Sequence, residues 1–530
     1  MPDIGRDRKR GAGDGSYGGR PLPYSQNNVV FFWYFVGQPR ENPLYCFHYN
    51  DFPERFFAGL RGSHPTGTFR GLGKAVLMEN TITKSSTFYR DMFRLALPIV
   101  FQNLITTAVG SADVIMLGWV SQTALSAGSL ASQIMFILNL VYSGISSGIG
   151  MLAAQYWGRK DTRTIEKIMG IGMKLSILVS FLFFVLACFF PRLLMLIFTS
   201  ETELIDTGIS YLRIVGISYL FMSISQVYLC TMRSIERVVF ATVTNGSALG
   251  LNIILNAVFI FGLLGLPKMG ILGVALATTI ARGVELLICL ADACRFETIR
   301  FRPLILLEHH KVLFQDFMKY SLPAFGNEVS WGVGFSMYSV IMGHLGSDMV
   351  AANAVAVVAK NLGTVVCFGI ANAGAILLGK AIGAGQMDTV KEDASRFCWI
   401  TFVSGIAGGA LIILLRPLFM NMADLSSTAQ GYLSIMLFIN MYSVLGQAMN
   451  STVICGVFRA GGDSRWGFIC DVIDMWLFAV PLGFISAFVL KLPPMWVYFL
   501  IYLDEFVKLP FVYRHYKSYK WLKNITRDFD

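Results

Sequence analysis

The sequence predicts an all-α polytopic membrane protein, with twelve transmembrane helices in two parallel-repeat six-helix lobes around a central cavity. Three observations predict it: the composition lacks a soluble coat, apolar runs of spanning length recur along the chain, and the second half repeats the first.

Of 530 residues, 55% are hydrophobic and 14% charged, and the mean hydropathy is +0.58. A soluble domain carries about a quarter charged residues, whereas here phenylalanine alone (42) outnumbers Asp and Glu together (33). A bilayer supplies the missing solvent. The composition excludes a disordered chain, and the net charge of +10 is no nucleic-acid footprint because its placement follows the membrane. The nine cysteines show no CxxC and no metal-ligand spacing. They read as buried free thiols, not as a redox or zinc site.

Residues 1–77 differ from the rest. Their start is Gly/Arg-rich and reads as disordered. The apolar run Val29–Val36 is far shorter than the roughly 20 residues that a spanning helix needs. The working protein is therefore expected to begin near Met78, with 1–77 an extension without a role.

Apolar segments of spanning length follow at 93–116, 128–153, 169–190, 208–231, 238–264 and 271–293, then at 315–343, 350–378, 396–416, 430–456, 466–490 and 495–513. They predict a first lobe at 90–294, an inter-lobe linker at 295–314, a second lobe at 315–515 and a basic tail at 516–530. Lys and Arg in the connections give the orientation. Five alternate connections hold sixteen cations, among them Arg159, Arg233, Lys380 and Arg459; the other six hold only Arg192, Lys268, Arg416 and Lys491. Both termini are expected on the cation-rich, cytoplasmic side of a plasma membrane.

The halves are copies. Pro98 matches Pro323 and Gly158 matches Gly383 at an offset of 225, while Pro191 matches Pro417 and Arg233 matches Arg459 at 226. Six helices per copy return the chain to the side it started from, so the repeat is parallel about an axis along the membrane normal. Two such lobes facing a cavity permit alternating access by rocking.

Polar residues inside the segments are the functional candidates, since an ionisable group at bilayer depth costs at least about 2.5–3.5 kcal/mol. Asp113 lies in the outer half of the first segment. Asn252 and Asn256 stand one turn apart on the fifth, and Thr278 and Thr279 reach similar depth on the sixth. An acid with amide and hydroxyl oxygens suits a proton or a hard cation such as Na⁺; scattered polar residues bridging helices would look the same. In the second lobe Glu328 and Lys360 lie at a depth that allows an ion pair, responsive to proton or substrate, or static. Arg282 and Glu285 read as a structural i,i+3 pair. Asp471 and Asp474 either snorkel or face the cavity. Trp331, Tyr338 and Trp476 could line a greasy site for aromatic cations, or simply pack.

The stretches LALPIVFQNLITTAVGSADVIMLGWVSQTALSA, AAQYWGRKD, LNIILNAVFIFGLLGLPKMGILGVALATTIAR, SLPAFGNEVSWGVGF and GVFRAGGDSR resemble the multidrug and toxic compound extrusion (MATE) family. The resemblance covers about 90 to 515. It implies an antiporter that expels cationic or amphipathic compounds in exchange for Na⁺ or H⁺, with no other cofactor. It makes Asp113 the coupling carboxylate, with Asn252, Asn256 and Thr278 around it. The fifth-helix Asn-x-x-x-Asp of some members is here Asn-x-x-x-Asn. The seventh-helix Glu of NorM-like members matches Glu328, and their tenth-helix acid has only Gln447 and Asn450 nearby. Those departures leave H⁺ and Na⁺ equally open.

The expected partners are small amphipathic or cationic molecules and the bilayer, with no nucleic acid, and the expected state is a monomer. No HExxH or Walker A motif points to an enzyme or to ATP. Two other readings stay open. A lipid-linked saccharide flippase of the same superfamily would carry more basic residues in its cavity than Lys360 alone, and a membrane-embedded enzyme would need a paired acid and base or a metal cluster at one depth.

Overall fold

A computed structural model describes the backbone from Phe69 to Asp528, apart from 300–307, 309 and 422–424. The chain divides into two units, Met1–Met78 and Glu79–Asp530, and the second is described here. The expectations for residues 1–68, including the run Val29–Val36, lie outside the described residues.

The described chain is helical. We number the long helices α1 (Phe69–Gly118), α2 (Gln122–Gly158), α3 (Thr162–Phe189), α4 (Thr202–Ser234), α5 (Val238–Phe261) and α6 (Gly270–Arg295). The second set is α7 (Lys311–His344), α8 (Ser347–Gly383), α9 (Met387–Leu414), α10 (Ser427–Phe458) and α11 (Ser464–Val489). The last, α12, comes in two pieces, Pro494–Ile501 and Asp504–Lys517. Ten helices among the described residues are long and apolar enough to cross a membrane. The other two are α7, which carries Lys319 and Glu328, and α12, which breaks at Tyr502 and carries Asp504, Glu505 and Lys508.

Local chemistry sets the boundaries. The hydroxyl of Ser121 accepts the Ala124 N–H at 3.0 Å and starts α2, and Asp161 does the same for Thr164 at 3.0 Å in α3. Pro98 and Pro323 sit inside α1 and α7, each removing one helical hydrogen bond at equivalent places. In α10 and α11 the ladder widens to π-helical turns at Thr452–Phe458, Asp474–Ala479 and Ile485–Val489. Such turns arise where the ladder must absorb an extra residue, often beside a site.

The backbone repeats as the sequence does. Left-handed residues pair across the halves: Lys160 (φ 63°) with Gly385 (φ 77°), Glu236 (φ 67°) with Gly462 (φ 73°), and Gly265 (φ 78°) with Lys491 (φ 48°). Lys160 and Gly385 lie 225 positions apart, the offset seen in the sequence.

The lobes meet on their cation-rich side. Gly144 and Gly148 of α2 lie against Phe325 and Ser321 of α7, and the equivalent Gly369 of α8 lies against Val100 of α1. Where α2 crosses α8, Gly158 abuts the Lys380 carbonyl and Gly383 abuts the Gln155 carbonyl. The contact is self-complementary, as a two-fold axis requires. Outside it Lys380 Nζ pairs with Glu236 Oε2 at 2.8 Å. The tail, expected as a basic segment, lies over this closure: Trp521 is fully buried, and Gln155 bonds the chain just after it, at Lys523 and Ile525.

Candidate functional site

A cavity of about 440 Å³ lies between the lobes, walled by α1, α2, α4, α7, α8 and α10. Its lining is polar for a membrane interior, because serines and amides from these helices point inward: Asn103, Asn139, Ser143, Ser147, Gln226 and Asn372. Three charged side chains join them, Arg233, Glu328 and Arg459. Arg459 donates to Glu328 Oε1 at 3.0 Å and to Ser147 Oγ at 3.0 Å, so one arginine ties the two lobes. Of the second-lobe candidates, Glu328 and Trp331 line this cavity.

The first-lobe candidates come together away from it. Asn256 Nδ2 donates to Asp113 Oδ1 at 2.6 Å and to Asn252 Oδ1 at 3.2 Å. Asn252 in turn donates to Thr278 Oγ1 at 3.2 Å. Asn256 is fully buried and its own Oδ1 has no partner, an orphaned acceptor beside a carboxylate. These are oxygen donors, and they fit a proton or a small hard cation. Thr279 instead bonds the main chain at Ile214 and Ala275. Asp113 stands ten positions beyond cavity-lining Asn103, about 15 Å along the helix at 1.5 Å per residue.

The expected Glu328–Lys360 pair does not form. Glu328 takes Arg459, while Lys360 is buried with its Nζ 4.2 Å from the centre of the Tyr502 ring. Lys360 belongs to a second buried cluster around α12. Lys508, 3% exposed, reaches Asp471 at 3.3 Å, Asp474 at 3.4 Å and Glu505 at 3.1 Å. Tyr338 donates to Asp504 at 3.0 Å, and Asn450 to Glu505 Oε2 at 2.8 Å. Asp471 and Asp474 thus neither snorkel nor face the cavity; they turn inward to a lysine. Gln447, a turn from Asn450, is buried with its Oε1 unpartnered.

The aromatic candidates do not form an open cation cage. Tyr338 packs in the second-lobe core, Trp476 donates to Ser330 at 2.9 Å, and Lys508 lies 5.9 Å from the Trp331 ring. The expected Arg282–Glu285 pair forms at 2.6 Å, and Gln226 also reaches Glu285. Sequence reasoning missed Asp504, Glu505 and Lys508, and took Arg233 and Arg459 as markers of topology and of the repeat. The signal was available: charge inside an apolar segment, as for Asp113.

A family model described as MatE matches residues 98–258 and 323–485, once in each lobe. The chain is 24% identical over 469 residues to the uncharacterized transporter YisQ of Bacillus subtilis, covering 85% of this chain and 99% of that one. It is 27% identical over 424 residues to the probable multidrug resistance protein NorM of Rhizobium meliloti, covering 77% and 87%. Solved structures share the fold. A MATE protein in the straight conformation aligns with a TM-score of 0.74 at 18% identity, covering 81% of this chain and 96% of that one. An outward-facing multidrug resistance MATE family transporter of the MOP superfamily aligns with a TM-score of 0.73 at 19% identity, with the same coverage of 81% and 96%.

Proposed function

The chain belongs to the MatE family, and from that premise we propose that it is an ion-coupled antiporter exporting amphipathic small molecules by alternating access. That it is a multi-pass membrane transporter follows from the family and its apolar helices. Export of drugs is what the names of NorM and of the probable multidrug resistance protein YoeA of Bacillus subtilis suggest. Organic cations are the substrates that the family resemblance suggests.

One observation carries the mechanism. The buried carboxylate of Asp113 and the cavity sit on the same helix but far apart along it, so ion and substrate need not share one site. In this reading the cation-rich side is cytoplasmic. The α2–α8 crossing then closes the cytoplasmic end, and Asp113 in the outer half samples the external ion. Binding of H⁺ or Na⁺ by Asp113, Asn252, Asn256 and Thr278 alters first-lobe packing and releases the substrate outward. Loss of the ion to the cytoplasm reverses the rocking. The protein works as a monomer in the plasma membrane, with no cofactor beyond the coupling ion.

The test is ethidium efflux from proteoliposomes, with Na⁺ and H⁺ gradients imposed separately. Transport under one gradient supports the reading, and no gradient-driven movement of any amphiphile refutes it. The flippase reading gains one observation, the two cavity arginines; reconstituted lipid scrambling without dye export would favour it.

A further inference from the structure

We propose that the central cavity takes its substrate by an anionic group: an amphiphile with a carboxylate, sulfonate or phosphate head seated between Arg233 and Arg459. This rests on the transport reading above and sharpens its substrate class.

The charges of the lining carry it. The only carboxylate on the described wall is Glu328, and it is committed to Arg459 at 3.0 Å. Arg233, half-buried on the same wall, has no acceptor among the described residues. The cavity therefore holds one uncompensated guanidinium and no free acid. An organic cation entering it would lose water beside a like charge, which disfavours it. An oxyanion would find the open planar fork of Arg233, the group best matched to carboxylate or phosphate, with the Glu328-paired Arg459 on the same wall.

The repeat places these forks. Arg233 and Arg459 are equivalent residues of the two halves, at the cation-rich ends of α4 and α10. They come from opposite lobes and both line the one cavity, so a ligand there has one from each side. Ser143, Ser146 and Ser234 add hydroxyls to the wall, and Ile99, Trp331 and Phe368 supply the apolar surface. Of the three rings on the wall, Tyr142, Trp331 and Phe368, Trp331 already has a lysine of this chain near it, Lys508 at 5.9 Å.

Fluorescence anisotropy of the full chain in detergent tests this with two probes, anionic fluorescein and cationic ethidium. Fluorescein is expected to bind at least about tenfold more tightly than ethidium. Arg233→Gln should weaken fluorescein by about tenfold or more, the worth of a charge-assisted hydrogen bond, and Arg233→Lys, which keeps the charge without the fork, should fall between that variant and the wild type. Should Arg233→Gln fail to fold, Glu328→Gln provides the opposite arm: it frees Arg459 and should tighten fluorescein several-fold. Tighter binding of ethidium by the wild type overturns the proposal. So does unchanged fluorescein affinity in a folded Arg233→Gln, or, where that variant does not fold, in Glu328→Gln. Displacement of fluorescein by farnesyl phosphate more readily than by a soluble aryl sulfonate assigns the anion to a lipid, and the reverse order to a free solute. Fluorescein that binds while neither dye is moved by any ion gradient would refute the transport reading and leave this one intact; ethidium bound more tightly and moved alone would do the converse.

Discussion

Gly158 of α2 lies against the main-chain carbonyl of Lys380 in α8, with no space between them for a side chain. The equivalent Gly383 lies the same way against Gln155. Backbones this close need glycine because any Cβ would enter the facing carbonyl. Gly158→Val and Gly383→Val should therefore both wedge the cation-rich end apart. A thiol probe applied from that side should label a cysteine placed at Ser147 faster in either variant than in the parent, and efflux should fall. Equal labelling rates would show that the crossing is not the closure.

Asp113 is predicted to be indispensable to coupling and dispensable to folding. Its carboxylate accepts from Asn256 at 2.6 Å, and an amide in its place can keep a neutral contact there. Asp113→Asn should thus express normally, keep its thermal midpoint and lose gradient-driven efflux. Full efflux by this variant would remove Asp113 from the mechanism. Asn256→Asp, which restores a second acid, is expected to shift preference toward Na⁺ over H⁺, read as the Na⁺ concentration that gives half-maximal efflux.

Lys508 holds the second lobe. It meets Asp471, Asp474 and Glu505 within 3.4 Å at 3% exposure. Removing one partner of a buried ion pair costs about 3–5 kcal/mol because the other charge stays behind. Lys508→Met should lower stability by about that much, read from unfolding in detergent. Adding Asp471→Asn should recover part of the loss, since one stranded carboxylate then disappears. Additive losses in the double variant would mean that the two residues do not interact.

The fold was largely legible because membrane helices declare themselves locally. Apolar length, connection charge and repeat offset each read one segment at a time, and the family model matches both halves at nearly the same offset as Pro98 and Pro323. The Asp113 constellation was legible for a similar reason: depth on three neighbouring helices brought Asp113, Asn256 and Thr278 near one another. Depth alone could not choose partners in the second lobe. Glu328 and Lys360 share a depth, but Arg459, placed by a π-helical turn, reaches Glu328 first, and α12 brings Tyr502 to Lys360. Asp504, Glu505 and Lys508 lay inside the expected span 495–513 and were passed over, although the structure buries all three around a helix that breaks at Tyr502.

The tail yields the last prediction. Gln155 is fully buried and donates to the carbonyls of Ala460 at 2.7 Å and Lys523 at 3.2 Å, while accepting the Ile525 N–H at 2.9 Å. Arg527 pairs with Asp316 at 2.9 Å, Arg159 pairs with Asp528, and Asn524 donates to the Ile382 carbonyl at 3.4 Å. Residues of both lobes thus hold one short segment, and opening the cation-rich end must break part of this set. Gln155→Ala would strand a buried carbonyl and a buried N–H, each worth about 1–3 kcal/mol. Truncation after Lys520 instead removes the segment whole, leaving both lobes freer to part. Truncation should raise labelling of the Ser147 position from the cation-rich side and lower the thermal midpoint. Gln155→Ala should do both to a smaller degree, because the pairs of Arg527 and Arg159 persist. A truncated protein with parental labelling would mean that the lobes close without the tail, and that the α2–α8 crossing alone sets the closure.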